Sequence, residues 1–150
     1  FFEGISIISL ALTFIIIAYY WGKYPNSVAI HYNALGQADS FGPRWLLLIL
    51  PLTALLTYIG MTYLNKFPHV FNFPVEVSER NAELLYKTGK RTISFMKMIV
   101  CLLILYINIS QVSSMIFNRS GINIFIILFF ILCLIVAPIF AAFKMSKARP

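Results

Sequence analysis

The segment from Tyr24 to Arg44 places two side chains that could do chemistry eight residues apart: YPNSVAIHYNALGQADSFGPR. His31 can titrate near neutral pH or bind a metal, and Asp39 can be a second ligand or a proton acceptor. With only Asn33 as a poor third ligand, the set falls short of a metal site. Alternatively, His31 and Asn33 hydrogen-bond the backbone of their own loop, while Asp39 accepts from backbone N–H groups or from Arg44.

The rest of the chain offers these two residues little help in catalysis. The sequence has five acids, none paired with another in or near an apolar segment, and it contains no HExxH motif or phosphate-binding loop. The other histidine, His69, falls in a different loop. We therefore expect no enzymatic activity, no cofactor and no bound metal; an enzyme would have to work with His31 and Asp39 alone.

The composition indicates whether the chain folds in water or in a membrane. Apolar residues make up 60% of the 150 positions and charged residues 11%, too few charges to cover a water-soluble domain of this size. Four apolar segments reach the roughly 20 residues that carry a helix across a bilayer, at about 5–21, 45–64, 93–117 and 122–143. Because lipid cannot satisfy backbone hydrogen bonds, we predict an all-α integral membrane protein, one four-helix transmembrane domain over 1–150.

The distribution of basic residues predicts the orientation. Nine fall on one side of a four-span topology and three on the other: Lys66, Arg80, Lys87, Lys90, Arg91, Lys97, Lys144, Lys147 and Arg149 against Lys23, Arg44 and Arg119. By the positive-inside rule both termini are cytoplasmic and the 24–44 loop is extracytoplasmic. The net charge of +7 then needs no nucleic acid, since cytoplasmic loops and anionic lipid account for it.

The 24–44 loop carries signals of a defined structure. The VAIHY run alternates as a short extended segment would, NALG and GQAD each suggest a turn, and DSFGPRW resembles the start of the second helix. Gly36 and Gly42 are expected to supply positive φ angles.

The loop between the second and third spans predicts a cytoplasmic helix that leads into the third span. Ser78 can cap its first turn, which holds Glu79, and Gly89 is a candidate for a bend. Lys97 lies only about four residues inside the third span, so we expect its ammonium group to reach the headgroups along the surface of the helix.

Small and hydroxyl residues within the spans predict which helix faces meet. Two such stripes occur, Ser6, Ser9 and Thr13 in the first span and Thr53, Thr57 and Gly60 in the second. The third span is the most polar, with Asn108, Gln111 and Ser114 at three-residue steps. These three side chains could form hydrogen bonds between helices or line a path for a solute. The two cysteines fit small apolar core positions.

The same loop motif carries a family resemblance. Its Pro25, His31, Tyr32, Asn33, Gly36, Asp39 and Gly42 match the pattern Leu-Pro, a few residues, Ile-Pro-x-His-Phe/Tyr-Asn-x-x-Gly-x-x-Asp-x-x-Gly-x-Lys. The chain thus resembles the bacterial membrane family called domain of unknown function 1648. It departs at Tyr24, which replaces the Leu, and at Ala29, which replaces the second Pro, while Arg44 stands where a Lys is common.

The resemblance implies a multi-span helical protein of the bacterial cytoplasmic membrane, without an assigned activity. Some members resemble SdpI-type immunity proteins, which protect a cell from a secreted peptide toxin. We therefore expect an accessory, sensor or immunity-like protein that binds a protein or peptide partner through His31, Tyr32, Asn33, Gly36, Asp39, Gly42 and Arg44. The alternatives are a component of an oligomeric transporter or channel, and a membrane enzyme using His31 and Asp39. The chain could act as a homo- or hetero-oligomer.

Overall fold

Four long helices form the body of the protein in a computed structural model that describes residues 1–117 and 121–148. They are α1 (Phe2–Tyr20), α2 (Ile49–Leu64), α3 (Ala82–Phe117) and α4 (Ile124–Ser146). Counting the short 3-10 turns at Trp21–Lys23 and Arg44–Leu48, all four are long and apolar enough to cross a membrane. The four predicted spans are therefore confirmed as helices of spanning length. The sequence NRSG between the third and fourth spans also predicts a tight turn, but these residues, 118–121, lie outside the described part of the chain except for Gly121.

One departure from the predicted all-α class lies between α1 and α2. Strands β1 (Ser27–Tyr32) and β2 (Ala38–Pro43) pair antiparallel in a two-stranded hairpin, with irregular register around His31. The extended run over VAIHY is confirmed. The second turn predicted at GQAD is wrong, since Gly36 and Gln37 complete the hairpin turn and Ala38 and Asp39 begin β2. The helix start predicted at DSFGPRW is confirmed only at its end: a 3-10 turn begins at Arg44, directly after Pro43, whereas Asp39 to Pro43 belong to β2. Pairing with β1 gives the backbone groups of β2 their hydrogen-bond partners.

Helix α3 joins the predicted cytoplasmic helix and the third span without a break. Its 36 residues correspond to about 54 Å, well beyond about 30 Å of hydrocarbon. It does not begin with Ser78 as a cap: the Asn81 side chain accepts from the Ser78 N–H at 2.8 Å and donates to the Glu76 carbonyl at 2.9 Å. Nor is the helix interrupted at Gly89, where a Cβ atom would lie 2.9 Å from the Phe71 ring. Glycine lets that ring approach the backbone.

The helices pack around the inner face of α3. On α1, the predicted stripe of Ser6, Ser9 and Thr13 is buried, which confirms that this face points inward. On α2 the predicted stripe is wrong: Thr53 and Gly60 are exposed, and the buried positions are Pro51 and Ala54. The Thr53 hydroxyl donates to the Ile49 carbonyl at 2.8 Å, so it needs no partner on another helix.

Three separate apolar clusters hold the bundle at its two ends and in the middle. The central one joins α1, α2 and α3 through Leu10, Ala54 and Ile104. A second, at the end where α4 finishes, contains Leu85, Ala141 and Met145. The third lies under the hairpin and contains Tyr24, Val28, Leu47 and Val112. The hairpin is therefore built onto one end of the bundle through a core of its own.

Candidate functional site

The turn of the hairpin is organised by Asn33. Its side-chain oxygen accepts from the backbone N–H groups of Leu35 at 2.9 Å and Gln37 at 3.0 Å. Its carbonyl accepts from the Gly36 N–H at 2.9 Å. Gly36 has a φ of 75°, the left-handed conformation that glycine adopts without strain. The structural roles predicted for Asn33 and Gly36 are confirmed.

The turn is also attached to the segment that begins the fourth span. The Ile122 N–H donates to the Gly36 carbonyl at 3.2 Å, and Gly36 itself is buried. A Cβ atom on Gly36 would lie 1.8 Å from the Ile122 carbonyl oxygen, and one on Gly121 would lie 2.3 Å from the Gly36 carbonyl oxygen. Two glycines thus allow a backbone-to-backbone contact between the hairpin turn and the entry to α4.

His31 and Asp39 face each other across the hairpin. His31 Nδ1 lies 2.5 Å from Asp39 Oδ1, and the two side chains are 68% and 42% exposed. The predicted bonds of His31 to its own loop backbone and of Asp39 to Arg44 are therefore wrong. Antiparallel pairing places β1 beside β2, so the His31 side chain of one strand contacts the Asp39 side chain of the other. An exposed pair of this kind contributes little to stability. Among the described residues, no three His, Cys, Asp or Glu side chains are grouped to share a metal ion.

Gly42 and Arg44 fix the other end of the hairpin. Gly42 lacks the positive φ predicted for it; a Cβ atom there would lie 2.7 Å from Leu46 Cδ1, so a side chain at this position would require the end of Leu46 to shift. The Arg44 N–H donates to the Asn26 carbonyl at 3.1 Å, and the guanidinium lies 5.4 Å from the centre of the Trp21 ring. This cation–π contact ties the end of β2 to the end of α1.

The face of the hairpin turned toward the bundle is apolar and contains two phenols. The hydroxyls of Tyr24 and Tyr32 are buried without a hydrogen-bond partner. Burial raises the pKa of Tyr24 to about 12, with the neighbouring Tyr32 and Tyr20 adding to the rise, and burial also raises the pKa of Tyr32. Both phenols are neutral at physiological pH, and the two rings act as packing groups.

The other face of the hairpin presents apolar side chains to the surroundings. Leu35 is 79% exposed at the tip and Phe41 61% exposed on β2, and Ile30 and Trp45 are also exposed. Together with the exposed His31–Asp39 pair, these are the residues that we call the hairpin surface: Ile30, His31, Leu35, Asp39, Phe41 and Trp45. Of the predicted loop residues, His31 and Asp39 belong to this surface. The others, Tyr32, Asn33, Gly36, Gly42 and Arg44, have structural roles in the hairpin.

The polar residues predicted on α3 lie inside the bundle. Asn108 and Gln111 are buried and Ser114 is half-buried. The Asn108 side-chain oxygen is buried without a partner. Gln111 lines a cavity of about 280 Å³ together with Ala29 and Ile30 of the hairpin and, nearby, Leu46, Leu47, Ile49 and Leu50. Gln111 therefore lies directly beneath the hairpin, a proximity that the sequence did not indicate.

Lys97 forms a buried site that the sequence analysis missed. Its side chain is 1% exposed, so it does not reach the headgroups as predicted. The ammonium donates to Glu3 Oε2 at 2.7 Å and to the Thr62 hydroxyl at 2.7 Å, and lies 4.5 Å from the Tyr58 ring centre. The Tyr58 hydroxyl donates to the other oxygen of Glu3. The available signal was that Glu3 and Lys97 occupy the same end of a four-span topology.

Comparisons with known proteins cover the part of the chain that contains the hairpin. Residues 8–55 match the family described as Domain of unknown function (DUF1648). This stretch includes every matching position of the loop motif, and the predicted resemblance to that family is confirmed. The four helices of spanning length and this match together define the class: a helical, multi-span membrane protein that contains a DUF1648 segment.

One curated relative is similar over a longer stretch. It is described as an uncharacterized protein from Archaeoglobus fulgidus, and it is 30% identical over 78 residues. The aligned stretch covers 47% of this chain and 43% of the relative, so the chain spans less than half of that protein's length. No solved structure matches the chain.

Proposed function

We propose that this chain is a multi-pass protein of the bacterial cytoplasmic membrane that acts by binding a protein or peptide through the hairpin surface. It would serve as an accessory, sensor or immunity-like protein without enzymatic activity. One observation carries the proposal: a hairpin fixed at both ends leaves Leu35 and Phe41 largely exposed beside a polar pair. Exposed apolar groups on an ordered loop are typical of contact surfaces.

The attachment of the hairpin favours binding by a surface that is already ordered. Asn33 closes the turn, Gly36 is bonded to Ile122, and Val28 is fully buried in the core below. A surface that is ordered before it meets a partner loses less conformational entropy on binding. Leu35 and Phe41 are the anchors we expect a partner to cover, since large apolar groups dominate the energetics of interfaces.

The interior of the bundle supports binding over the alternative of a transporter or channel component. Asn108 and Gln111 are buried polar groups, as such a function would use. However, the Ser6 hydroxyl donates to the Phe2 carbonyl and the Thr13 hydroxyl to the Ser9 carbonyl, both at 2.9 Å. The hydroxyls of Ser6 and Thr13 are thus bonded to backbone carbonyls of α1 itself, and this face offers few free polar groups to a solute. A homo- or hetero-oligomer remains compatible with the binding proposal, and nucleic acid has no part in it.

A photo-crosslinking amino acid placed at individual positions in living cells tests the proposal. At Leu35 and at Phe41 we expect a discrete crosslinked species of one partner mass, because the partner covers both side chains. Val77 is the matched control, an exposed apolar residue in the loop between α2 and α3. With the crosslinking residue at Phe41, the partner band should weaken by about tenfold when His31→Ala and Leu35→Asp are combined, since loss of an interface anchor costs about 1–2 kcal/mol or more. Equal crosslinking at Val77, or only lipid adducts at positions 35 and 41, would count against a protein or peptide partner.

A further inference from the structure

A groove of about 580 Å³ opens at the opposite end of the bundle from the hairpin. It lies between the start of α1, the first half of α3 and the last turns of α4. Its walls combine apolar and basic groups: Phe2, Leu84, Phe95, Ala137, Phe140 and Ala141 with Lys87, Thr88, Arg91, Thr92 and Lys144. None of the chain's acids lines it. The groove is independent of the hairpin surface and of the function proposed for it.

Three cations converge on this groove from two helices. Lys87 and Arg91 are four residues apart and so share one face of α3, and Lys144 faces them from α4. All five acids of the chain lie within the described residues, and in that part of the chain the only ion pairs join Lys97 to Glu3 and His31 to Asp39. The three charges of the groove repel one another with no acid within ion-pair distance, although Glu3 lines the neighbouring cavity together with Lys87 and Arg91. A bound anion would relieve that repulsion.

The basic groups are placed where the apolar part of the helices ends. Lys144 follows the long apolar stretch of α4, and Arg91 precedes the apolar stretch that begins near position 93 of α3. Ala137 and Phe140 lie one to two turns deeper along α4, and Phe140 is largely exposed. This arrangement sets positive charge at the depth of lipid headgroups and an apolar wall at the depth of acyl chains.

We infer that the groove binds an anionic phospholipid, with its phosphate held by Lys87, Arg91 and Lys144 and an acyl chain lying against Ala137 and Phe140. The Arg91 guanidinium can bond two phosphate oxygens at once, while the two lysines act as point charges. Arg91 also lies 6.0 Å from the centre of the Phe2 ring, which holds it at the mouth of the groove. The hydroxyls of Thr88 and Thr92 are close enough to the groove to line it, although Thr92 donates to the Thr88 carbonyl at 2.9 Å.

The test measures lipid retention by the full chain, purified from vesicles of phosphatidylcholine containing one part in ten of phosphatidylglycerol and analysed by native mass spectrometry. The site variant combines Lys87→Gln, Arg91→Gln and Lys144→Gln. The control variant, Lys66→Gln with Arg80→Gln and Lys147→Gln, removes two lysines and one arginine from the same end of the bundle. We expect the site variant to retain phosphatidylglycerol about 100-fold less, because each cation near an anionic headgroup contributes about fivefold, and the control to retain it as the parent does.

Several outcomes would overturn the inference. Equal loss in both variants would mean a diffuse surface charge effect, and no loss in the site variant would mean no site. Inorganic phosphate at millimolar concentration should not displace the lipid, because the acyl chain supplies part of the affinity; full displacement would indicate a simple anion site. If the site variant loses helical circular dichroism, Lys144→Gln alone replaces it. That exposed residue should give about a fivefold loss, and an unchanged retention would reject the inference.

Discussion

At the scale of single residues, Lys97 places a charged ammonium group inside the bundle, where burial of a charge costs free energy unless the charge is paired. Its ammonium is satisfied by Glu3 and Thr62 and lies against Tyr58, so three helices contribute to one charge. Removing one partner of a buried pair is costly because the other charge stays buried without compensation, whereas replacing the pair with apolar groups costs much less. The pair therefore connects α1 to α3 and makes stability sensitive to each of its members.

We predict that Glu3→Gln lowers the stability of the detergent-solubilised protein by about 1–2 kcal/mol. This is less than for breaking a fully buried pair, since the Glu3 side chain is 45% exposed and Thr62 remains as a partner of Lys97. The double variant Glu3→Gln with Lys97→Met should recover most of that loss, because no charge is left buried. The measurement is the denaturation midpoint, followed by circular dichroism. A double variant no more stable than Glu3→Gln alone would show that the pair does not act in this way.

At the scale of elements, the hairpin shows how a short polar insert becomes ordered on a membrane bundle. Its own two strands are too few to be stable by themselves. Order comes from the core around Val28 and Tyr24, from the Arg44–Trp21 contact, and from the bond between Gly36 and Ile122. Each attachment joins the hairpin to a different part of the bundle, so the loss of one should loosen it locally.

We predict that Gly36→Ala frees the hairpin from α4 while the four helices stay in place. The φ of 75° disfavours a side chain, and a Cβ atom at this position would lie 1.8 Å from the Ile122 carbonyl oxygen, which leaves no room for a methyl group. The left-handed conformation alone costs a residue with a side chain about 1–2 kcal/mol, so hydrogen exchange of 27–43 should accelerate by about tenfold or more. Gly22→Ala is the control, since nothing lies within 4 Å of a Cβ atom there. Unchanged protection in Gly36→Ala would contradict the attachment.

At the scale of the whole molecule, the two ends of the bundle are chemically different. One end carries the hairpin and the entry to α4, and the other carries the basic groove and most of the chain's lysines and arginines. From the positive-inside rule we propose that the basic end faces the cytoplasm. Both proposals depend on this polarity, because the hairpin would meet its partner outside and the groove would meet lipid of the inner leaflet.

We predict that Leu35→Cys is labelled by a membrane-impermeant maleimide in intact cells, and that Val77→Cys is labelled only after permeabilisation. Both residues are exposed, so the barrier to the reagent is the bilayer and not the fold. The experiment uses a chain in which Cys101 and Cys133 are replaced by serine. Labelling of Val77→Cys but not Leu35→Cys in intact cells would reverse the orientation.

The spans were predictable because lipid imposes a composition and a length that can be read directly from residues 5–21, 45–64, 93–117 and 122–143. The turn at Asn33 and Gly36 was predictable for a similar reason, since local hydrogen bonds and backbone conformation involve neighbours in the chain. The wrong predictions concern β2, Gly42, Lys97 and the inward face of α2. For the first three, the deciding partner lies on another element: β1 for β2, Leu46 and Ile30 for Gly42, and Glu3 for Lys97.

The sequence by itself determined that the chain is a four-span helical protein with a structured polar insert after the first span, because burial in lipid and local turn chemistry depend on composition and near neighbours. Only the tertiary structure decided that His31 pairs with Asp39, that the hairpin turn is bonded to Ile122, and that Lys87, Arg91 and Lys144 share a groove. These contacts join residues of different strands, loops and helices. They follow from the rotation and register of packed elements, which no short stretch of sequence specifies.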